Sequence, residues 1–268
     1  MNEIKVNDGF VRLVDSMPTN DLDSAIVQAA RVSYASGTKT SRGDEGLIRY
    51  LMRHWHNTPF EMVEFKFHIK MPIFVARQHL RHRTASVNEM SARYSVIPDE
   101  YFVPDEYRMQ AKVNKQGSEG VLSFEDPSMK DAPKDSCVQA FDTYQKLLDA
   151  GCCRELARCH LPQSTYTEFY WKINLHNLMH YLMLRMEEGA QKEIRDYANA
   201  IYELVQPKVP ITMKAFKDFR VNSMQLTAID IECINNKTLP DSIGERREFV
   251  AKLDRLGLSL KLFPNGIA

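Results

Sequence analysis

The densest run of polar side chains extends from residue 81 to residue 95 and reads Arg-His-Arg-Thr-Ala-Ser-Val-Asn-Glu-Met-Ser-Ala-Arg-Tyr-Ser. It holds three arginines, one histidine, one glutamate and several hydroxyl groups. Arginine binds phosphate through two parallel hydrogen bonds, and hydroxyl groups add further donors. This composition is typical of a phosphate-binding site. A solvated loop with local ion pairs is the competing interpretation, because runs of charge usually lie at the surface.

Two elements predicted just before this segment would hold it in a defined place. Alternation of apolar and charged residues over 61–71 predicts a strand with one face in the core. Pro72 suits the first turn of a helix, and helical spacing continues to Leu80. The alternating apolar residues are Val63, Phe65, Phe67, Ile69 and Met71, and the helical residues include Ile73, Phe74 and Arg77.

Further elements follow from the same two periodicities. Alternation over 165–173 predicts a second strand, and Asn174 is placed to cap the helix after it. Apolar spacing also predicts helices over 20–32, capped by Asn20, over about 47–54, from about 138 to Gly151, and over 194–205. The tail after Pro210 is predicted to be helical.

These elements predict an α/β fold of the α+β type: a single domain in which a largely antiparallel sheet packs against several helices. Asp105–Lys134 is polar, contains two glycines and two prolines, and has no sustained period, so we interpret it as a long polar insertion without regular structure. The domain is assigned to residues 1–220 and a helical C-terminal extension to residues 221–268.

The order of residues in the polar run resembles the signature of the flavin-dependent thymidylate synthases, also called thymidylate synthase-complementing proteins. Arg81-His82-Arg83 is followed after seven residues by Ser91, and Ser86, Asn88, Glu89, Arg93 and Tyr94 also stand at matching places. Shorter stretches resemble the family at residues 29–33, 56–61, 72–78 and 174–194. The resemblance covers roughly residues 1–100 and 135–220.

This resemblance implies an activity and a set of ligands. Family members convert dUMP to dTMP, with methylenetetrahydrofolate as the one-carbon donor and NADPH as the reductant. They carry FAD and form homotetramers whose active sites combine more than one subunit. FAD would perform the redox chemistry that amino-acid side chains cannot.

The resemblance also assigns residues to FAD. Arginine and hydroxyl donors suit its pyrophosphate, and Glu89 can accept a hydrogen bond from an adenine or ribose group. Some family members have arginine and asparagine where this chain has His176 and His180, which leaves the charge at these two contacts open. The implied cofactor-binding residues are Ser33, Thr58, Arg81, His82, Arg83, Glu89, Asn174, His176 and His180.

For dUMP, the resemblance assigns Arg93 and Arg158 to the phosphate and Arg185 to the uracil ring, where it would stabilise negative charge. Arg185, His56 and Ser91 are the implied catalytic residues. His56 would lie against the flavin, and Ser91 would donate to the phosphate rather than attack, because no base stands ready to activate it. The implied substrate-binding residues are Gln78, Arg81, Glu89, Ser91, Ala92, Arg93, Arg158 and Arg185.

Other functions receive weaker support from the sequence. A nucleic-acid-binding module could use the 81–95 segment with Tyr94 and Tyr101, but the net charge is +0, with 35 basic and 35 acidic residues. No glycine-rich dinucleotide motif and no complete metal-ligand spacing occur, so no metal is expected. A further alternative is that the chain is a member of this family that has lost its activity.

The sequence also indicates a cellular compartment. The five cysteines are odd in number, which argues against a secreted disulfide framework and favours a reducing cytoplasm. Neither a targeting signal nor a membrane-spanning apolar run is recognisable.

Overall fold

A computed structural model describes residues 2–33, 43–112 and 117–263. The chain divides into two compact units, Met1–Phe216 and Lys217–Ala268. The first unit contains every residue that the sequence assigns to the site.

The first unit is built on a five-stranded sheet with the order β1-β2-β3-β7-β4. Every neighbouring pair in it is antiparallel. A separate two-stranded hairpin, β5–β6, lies in the polar insertion. The strands are β1 (Glu3–Val6), β2 (Gly9–Met17), β3 (Glu64–Pro72), β4 (Ser86–Glu89), β5 (Met109–Gln110), β6 (Ser118–Glu119) and β7 (Tyr166–Asn174).

Strands β3 and β7 form the centre of the sheet and pair along nine residues each. One face of both strands is apolar, and Phe67 pairs with Trp171 in the middle of it. Phe67 and Trp171 are completely buried, and burial of a large apolar side chain stabilises a fold by roughly 1.5–3 kcal/mol. The α+β fold class and both strong strands predicted from alternation are therefore confirmed.

Helices pack around the sheet and occupy most of the remaining chain. Helix α8 lies against β1 and β2, and it also contacts α4 and α7. A short 3-10 turn, Arg158–His160, follows α6. The helices are α1 (Leu22–Arg31), α2 (Asp44–Arg53), α3 (Thr58–Glu61), α4 (Ile73–His79), α5 (Ser128–Asp149), α6 (Arg154–Ala157), α7 (Leu175–Arg185), α8 (Lys192–Val205) and α9 (Pro210–Phe216).

Two expectations about helix starts have different outcomes. Asn174 caps α7, because its side-chain oxygen accepts a hydrogen bond from the Asn177 N–H at 2.9 Å. The cap predicted at Asn20 is wrong. Helix α1 begins at Leu22, and the residue before it, Asp21, has a left-handed backbone with a φ of 54° and makes no side-chain cap bond.

The polar insertion is more ordered than its sequence predicted. Besides the hairpin, helix α5 begins at Ser128 and continues through Pro133. The Asp126 carboxylate accepts hydrogen bonds from the Ser128 N–H and hydroxyl group, which satisfies donors at the helix start. The prolines suggested an irregular segment, yet Pro133 lies in the second turn of α5, where it removes one internal hydrogen bond and the helix continues past it. Residues 113–116 lie outside the described residues.

The second unit is helical, as predicted for the tail. It contains α10 (Ala228–Asn236), α11 (Ile243–Leu256) and a 3-10 turn at Leu260–Leu262. Thr227 and Asp230 form a reciprocal capping box at the start of α10. A small core of its own contains Cys233, Phe249, Leu253 and Phe263.

All five cysteines are free thiols. Among the described residues, no helix is both long and apolar enough to cross a bilayer.

Asp23 joins α1 to the start of α9, and its removal tests the packing of the first unit. The buried carboxylate accepts from the N–H groups of Ile211 and Thr212 and from the Thr212 hydroxyl at 2.6 Å. Asp23→Ala leaves these donors unsatisfied, so we expect a loss of about 3 kcal/mol in the free energy of unfolding, measured by urea denaturation at one fixed protein concentration.

Asp44→Ala provides the matched control. It removes an exposed ion pair with Arg31 at 2.8 Å, and we expect a loss of about 1 kcal/mol or less. Equal losses in the two variants would contradict a structural role for Asp23.

Candidate active site

The signature residues emerge at the end of α4, which buries Val75, Ala76 and His79 against the sheet. The helix ends at His79, and beyond it Arg81 and Arg83 are exposed while His82 is half-buried. Neither Arg81 nor Arg83 forms an ion pair with a described residue, so both guanidinium groups are available to bind an anion. A pyrophosphate or phosphate group would complement them.

His79 is fully buried between aromatic rings. Its ring centroid lies 4.3 Å from that of Trp171 and 4.8 Å from that of Tyr181, and its Nδ1 is 3.0 Å from the Tyr181 hydroxyl. Burial, together with the nearby charges of His82 and Arg185, lowers the pKa of His79 to about 3. His79 is therefore neutral at physiological pH and belongs to the core that supports the signature.

His82 holds the side chain of Arg185. The Arg185 Nε–H donates to His82 Nε2 at 3.0 Å, and a terminal N–H donates to the backbone carbonyl of Gln78 at 3.4 Å. Partial burial, the Arg185 charge and His180 lower the pKa of His82 to about 4. The hydrogen bond therefore assigns the proton of neutral His82 to Nδ1.

Arg185 keeps an uncompensated charge within the described part of the chain. No described carboxylate lies within ion-pair distance of it, and neither Glu187 nor Glu188 is its partner. The family resemblance assigned Arg185 to the uracil ring of the nucleotide. The structure supplies two neutral partners, His82 and the Gln78 carbonyl, which orient the guanidinium and leave its charge available to an anion.

Gln78 also bonds through its side chain. Its Nε2 donates to the side-chain oxygen of Gln191 at 2.6 Å. His180 is exposed, and its ring centroid lies 6.1 Å from that of His82. Gln78, His82, His180 and Arg185, which the sequence assigned to two different ligands, therefore form one cluster, named here the Arg185 cluster.

Asn174 and His176 lie at the start of the helix that carries Arg185. The Asn174 side-chain oxygen accepts from the Asn177 backbone and from its amide at 3.0 Å. The side-chain NH2 group of Asn174 takes no part in this cap. His176 is half-buried one turn before His180.

Strand β4 carries the second half of the signature along the edge of the sheet. Glu89 accepts a hydrogen bond from the buried Thr167 hydroxyl at 2.6 Å. After the strand, Ala92 packs against a small core that contains Phe141 and Tyr144. The Ile97 N–H donates to the Tyr144 hydroxyl at 3.1 Å, so helix α5 anchors the loop that follows the signature.

A second group of predicted residues, named here the Arg93 group, lies on this loop and around α6. The Ser91 hydroxyl accepts from the Arg93 N–H at 3.3 Å, and Arg93 pairs with Glu155 at 3.2 Å. Both ion-pair partners are more than half exposed, so exchange of Glu155 for a phosphate would cost little. Arg158 is exposed on the 3-10 turn after α6.

A third group lines a cavity of about 770 Å³ between α1, α2 and α3. The predicted residues Ser33, His56 and Thr58 contribute polar groups to its wall together with Gln28 and Tyr50, and apolar side chains form the rest. An apolar wall with a few polar groups suits a flat organic ring. We call this the His56 cavity, and its apolar lining is Ala29, Ala30, Val32, Leu47, Leu51, Pro59 and Met62.

The predicted site residues thus form three groups: the Arg185 cluster, the Arg93 group and the His56 cavity. Sequence reasoning missed His79 and Gln191. A signal for His79 existed, because it lies three and four residues after Ala76 and Val75 on the buried face of α4. Gln191 has no local signal, since its role depends on contact with a residue 113 positions away.

Comparison with known proteins assigns a class to this arrangement. Residues 12–211 match the family described as "Thymidylate synthase complementing protein", and the chain belongs to that family. A flavin-dependent thymidylate synthase of Dictyostelium discoideum is 49% identical over 271 residues, which cover 98% of this chain and 88% of that protein. The enzyme of the same name from Thermus thermophilus is 52% identical over 233 residues, with 87% and 84% covered.

Solved structures agree with this assignment. The UMP/dUMP methylase PolB from Streptomyces cacaoi, bound with 5-Br dUMP, superposes with a TM-score of 0.71 at 37% identity. The alignment covers 80% of this chain and 97% of PolB. The same enzyme bound with 5-Br UMP gives a TM-score of 0.70 at 38% identity.

Nothing in the comparisons supports a nucleic-acid-binding module. Among the described residues, no cluster of histidine, cysteine, aspartate or glutamate could hold a metal ion.

The neutral histidines predict how stability depends on pH. The folded-state pKa values of His79 and His82, about 3 and about 4, lie below the unfolded value of 6.5. At these two residues the unfolded chain therefore binds more protons in this window, so the stability that they contribute falls as the pH falls from 6.5 towards 4. His79→Phe removes one of the two contributions, so we expect a flatter dependence of Tm on pH, measured by thermal unfolding.

His160→Ala is the control for this experiment, because His160 is exposed. Its Tm should follow the pH as the wild type does. A His79→Phe slope equal to the wild-type slope would show that His79 does not resist protonation in the folded state.

Proposed function

We propose that this protein synthesises dTMP from dUMP, with FAD as its flavin, methylenetetrahydrofolate as one-carbon donor and NADPH as reductant. The observation that carries the proposal is the Arg185 cluster. It joins the flavin signature directly to an uncompensated arginine, through the 3.0 Å bond between His82 and Arg185.

Arg185 would activate the uracil ring. Carbon 5 of uracil is a weak nucleophile, and negative charge on the ring makes it stronger. A guanidinium oriented by two neutral partners can stabilise that charge without reorganising during the reaction. No thiol is needed, and none of the five cysteines belongs to the Arg185 cluster.

The nucleotide phosphate would bind at the Arg93 group. Arg93 and Arg158 would neutralise it, and Ser91 and the Ala92 backbone would donate hydrogen bonds. The exposed pair between Arg93 and Glu155 supports this role, because it holds Arg93 in place and opens at little cost. Glu89 and Arg81 would contribute to both ligands.

The donor set fits FAD. Arg81 and Arg83 supply charge for the pyrophosphate, and Ser33 and Thr58 supply hydroxyl groups at the His56 cavity. Asn174 caps α7, and His176 and His180 lie on that helix, with His180 next to His82. When bound, FAD would supply hydride transfer, and His56 would lie against its ring. The chain's own residues would orient both ligands.

We further propose that the protein is a homotetramer. The three groups of predicted residues lie on different elements of one subunit. Residues from neighbouring subunits would complete each active site. Formation of dTMP by the purified, yellow protein from dUMP, methylenetetrahydrofolate and NADPH tests the function, and absence of product with all three present would refute it.

The flavin site can be tested with Arg81→Ala combined with Arg83→Ala. A lost charge-assisted hydrogen bond costs about 1.5–3 kcal/mol, so we expect the double variant to lose most of its FAD at moderate salt. The measurement is the flavin absorbance of the purified protein and its FAD dissociation constant. Arg77→Ala, which replaces an exposed arginine on α4 just before the signature, is the control and should keep FAD. Unchanged affinity in the double variant would refute the assignment.

Arg185→Lys tests the uracil site. Lysine keeps the charge but cannot bond His82 and the Gln78 carbonyl while it presents a planar fork. We expect dUMP binding about tenfold weaker by calorimetry, a larger loss in the rate of dTMP formation, and unchanged FAD content. Normal dUMP affinity together with loss of FAD would instead place Arg185 at the flavin.

A further inference from the structure

A continuous chain of hydrogen bonds connects the polar insertion to the Arg185 cluster. Arg108, directly before strand β5, donates to the Glu193 carboxylate at 2.7 Å. The other oxygen of Glu193 accepts from Gln191 at 2.8 Å, and Gln191 accepts from Gln78 at 2.6 Å. The backbone carbonyl of Gln78 then accepts from Arg185.

The charge of Glu193 determines the direction of the two bonds in this chain that Gln191 makes. Burial alone would raise the pKa of Glu193. Hydrogen bonds from Arg108, its own backbone and Gln191 outweigh that effect and hold the pKa below its ordinary value. An ionised carboxylate can only accept hydrogen bonds. Gln191 must therefore turn its amide hydrogens towards Glu193 and its carbonyl oxygen towards Gln78.

The same reasoning fixes the amide of Gln78. The Gln191 oxygen can only accept, so Gln78 must direct its Nε2 at Gln191 and its own Oε1 elsewhere. A glutamine without such neighbours can flip its amide at little cost. Here a flip would place two carbonyl oxygens against each other at 2.6 Å.

The anchor of this chain is partly buried. The Glu193 side chain is 8% exposed and that of Arg108 is 28% exposed, so their ion pair is screened less than a surface pair. Arg108 is itself oriented by a bond from its Nε to the Ser118 hydroxyl at 3.0 Å, across the β5–β6 hairpin. The hairpin thereby gives Arg108 one defined direction.

We propose that Arg108, Glu193 and Gln191 are positioning residues for the nucleotide, and that the insertion hairpin acts on dUMP binding through Gln78. This inference rests on the proposed function, because it takes dUMP as the ligand that Gln78 contacts. It gives the insertion a task that its sequence does not reveal. The hairpin holds a buried carboxylate ionised, and that carboxylate fixes which end of a substrate-binding amide faces the site.

The experiment uses flavin-loaded protein and measures dUMP binding by calorimetry, with steady-state kinetics alongside. Gln191→Met removes the connection and leaves the ion pair of Arg108 with Glu193 intact, so its Tm should stay near the wild-type value. Arg108→Met removes the anchor. We expect each variant to bind dUMP about fivefold more weakly and to raise KM more than it lowers kcat.

A purely structural role is separated from a positioning role by combining each variant with Gln78→Met. If Arg108 and Gln191 act through Gln78, neither substitution should weaken dUMP binding further once Gln78 is gone. Multiplied effects in the double variants would overturn the proposal. Lys112→Met, in the same insertion, and Lys192→Met, next to Gln191, are exposed controls that should bind dUMP normally.

Two other results distinguish a failure of this inference from a failure of the proposed function. Wild-type protein that binds dUMP, with Gln191→Met and Arg108→Met variants that bind it equally well, overturns this inference and leaves the proposed function standing. Wild-type flavoprotein that fails to bind dUMP overturns the proposed function and this inference with it.

Discussion

The antiparallel pairing of β3 with β7 is the constraint on which the rest of the first unit depends. Nine residue pairs span about 30 Å. Because the strands run in opposite directions, α4 begins at one end of the pair and α7 at the other. Both helices cross the same buried face and meet at Trp171, which contacts the rings of His79 and Tyr181. The signature at the end of α4 and Arg185 at the end of α7 are brought together by this geometry.

Where the helices meet, the cationic side chain of Arg185 lies beside the neutral imidazole of His82. Burial and the Arg185 charge both disfavour protonation of His82, so its Nε2 remains an acceptor for that arginine. A carboxylate in the same place would hold Arg185 more tightly and would neutralise it. A neutral imidazole orients the guanidinium and leaves its field directed at a ligand, which is the electrostatic arrangement that stabilisation of an anionic ring requires.

The nearest carboxylate that takes part in this network is kept at a distance by two glutamines. Glu193 carries the negative charge, pairs with Arg108, and reaches the Arg185 cluster only through the amides of Gln191 and Gln78. A side-chain amide fixes the orientation of the group that it bonds, although the amide itself carries no net charge. Arg185 therefore stays uncompensated although an ionised, buried glutamate lies three hydrogen bonds away.

The sequence by itself determined the strong elements and the family. Alternation marked β3 and β7, Asn174 marked the start of α7, and the order of residues around Arg81 carried the resemblance, because these signals are local along the chain. It misplaced the start of α1 and missed the helical end of the insertion, where single caps and prolines decide between nearly equal alternatives. Only the tertiary structure decided which side chains meet. Contacts such as Gln78 with Gln191 or His82 with Arg185 join residues more than a hundred positions apart, and only the packing of helices on the sheet selects them.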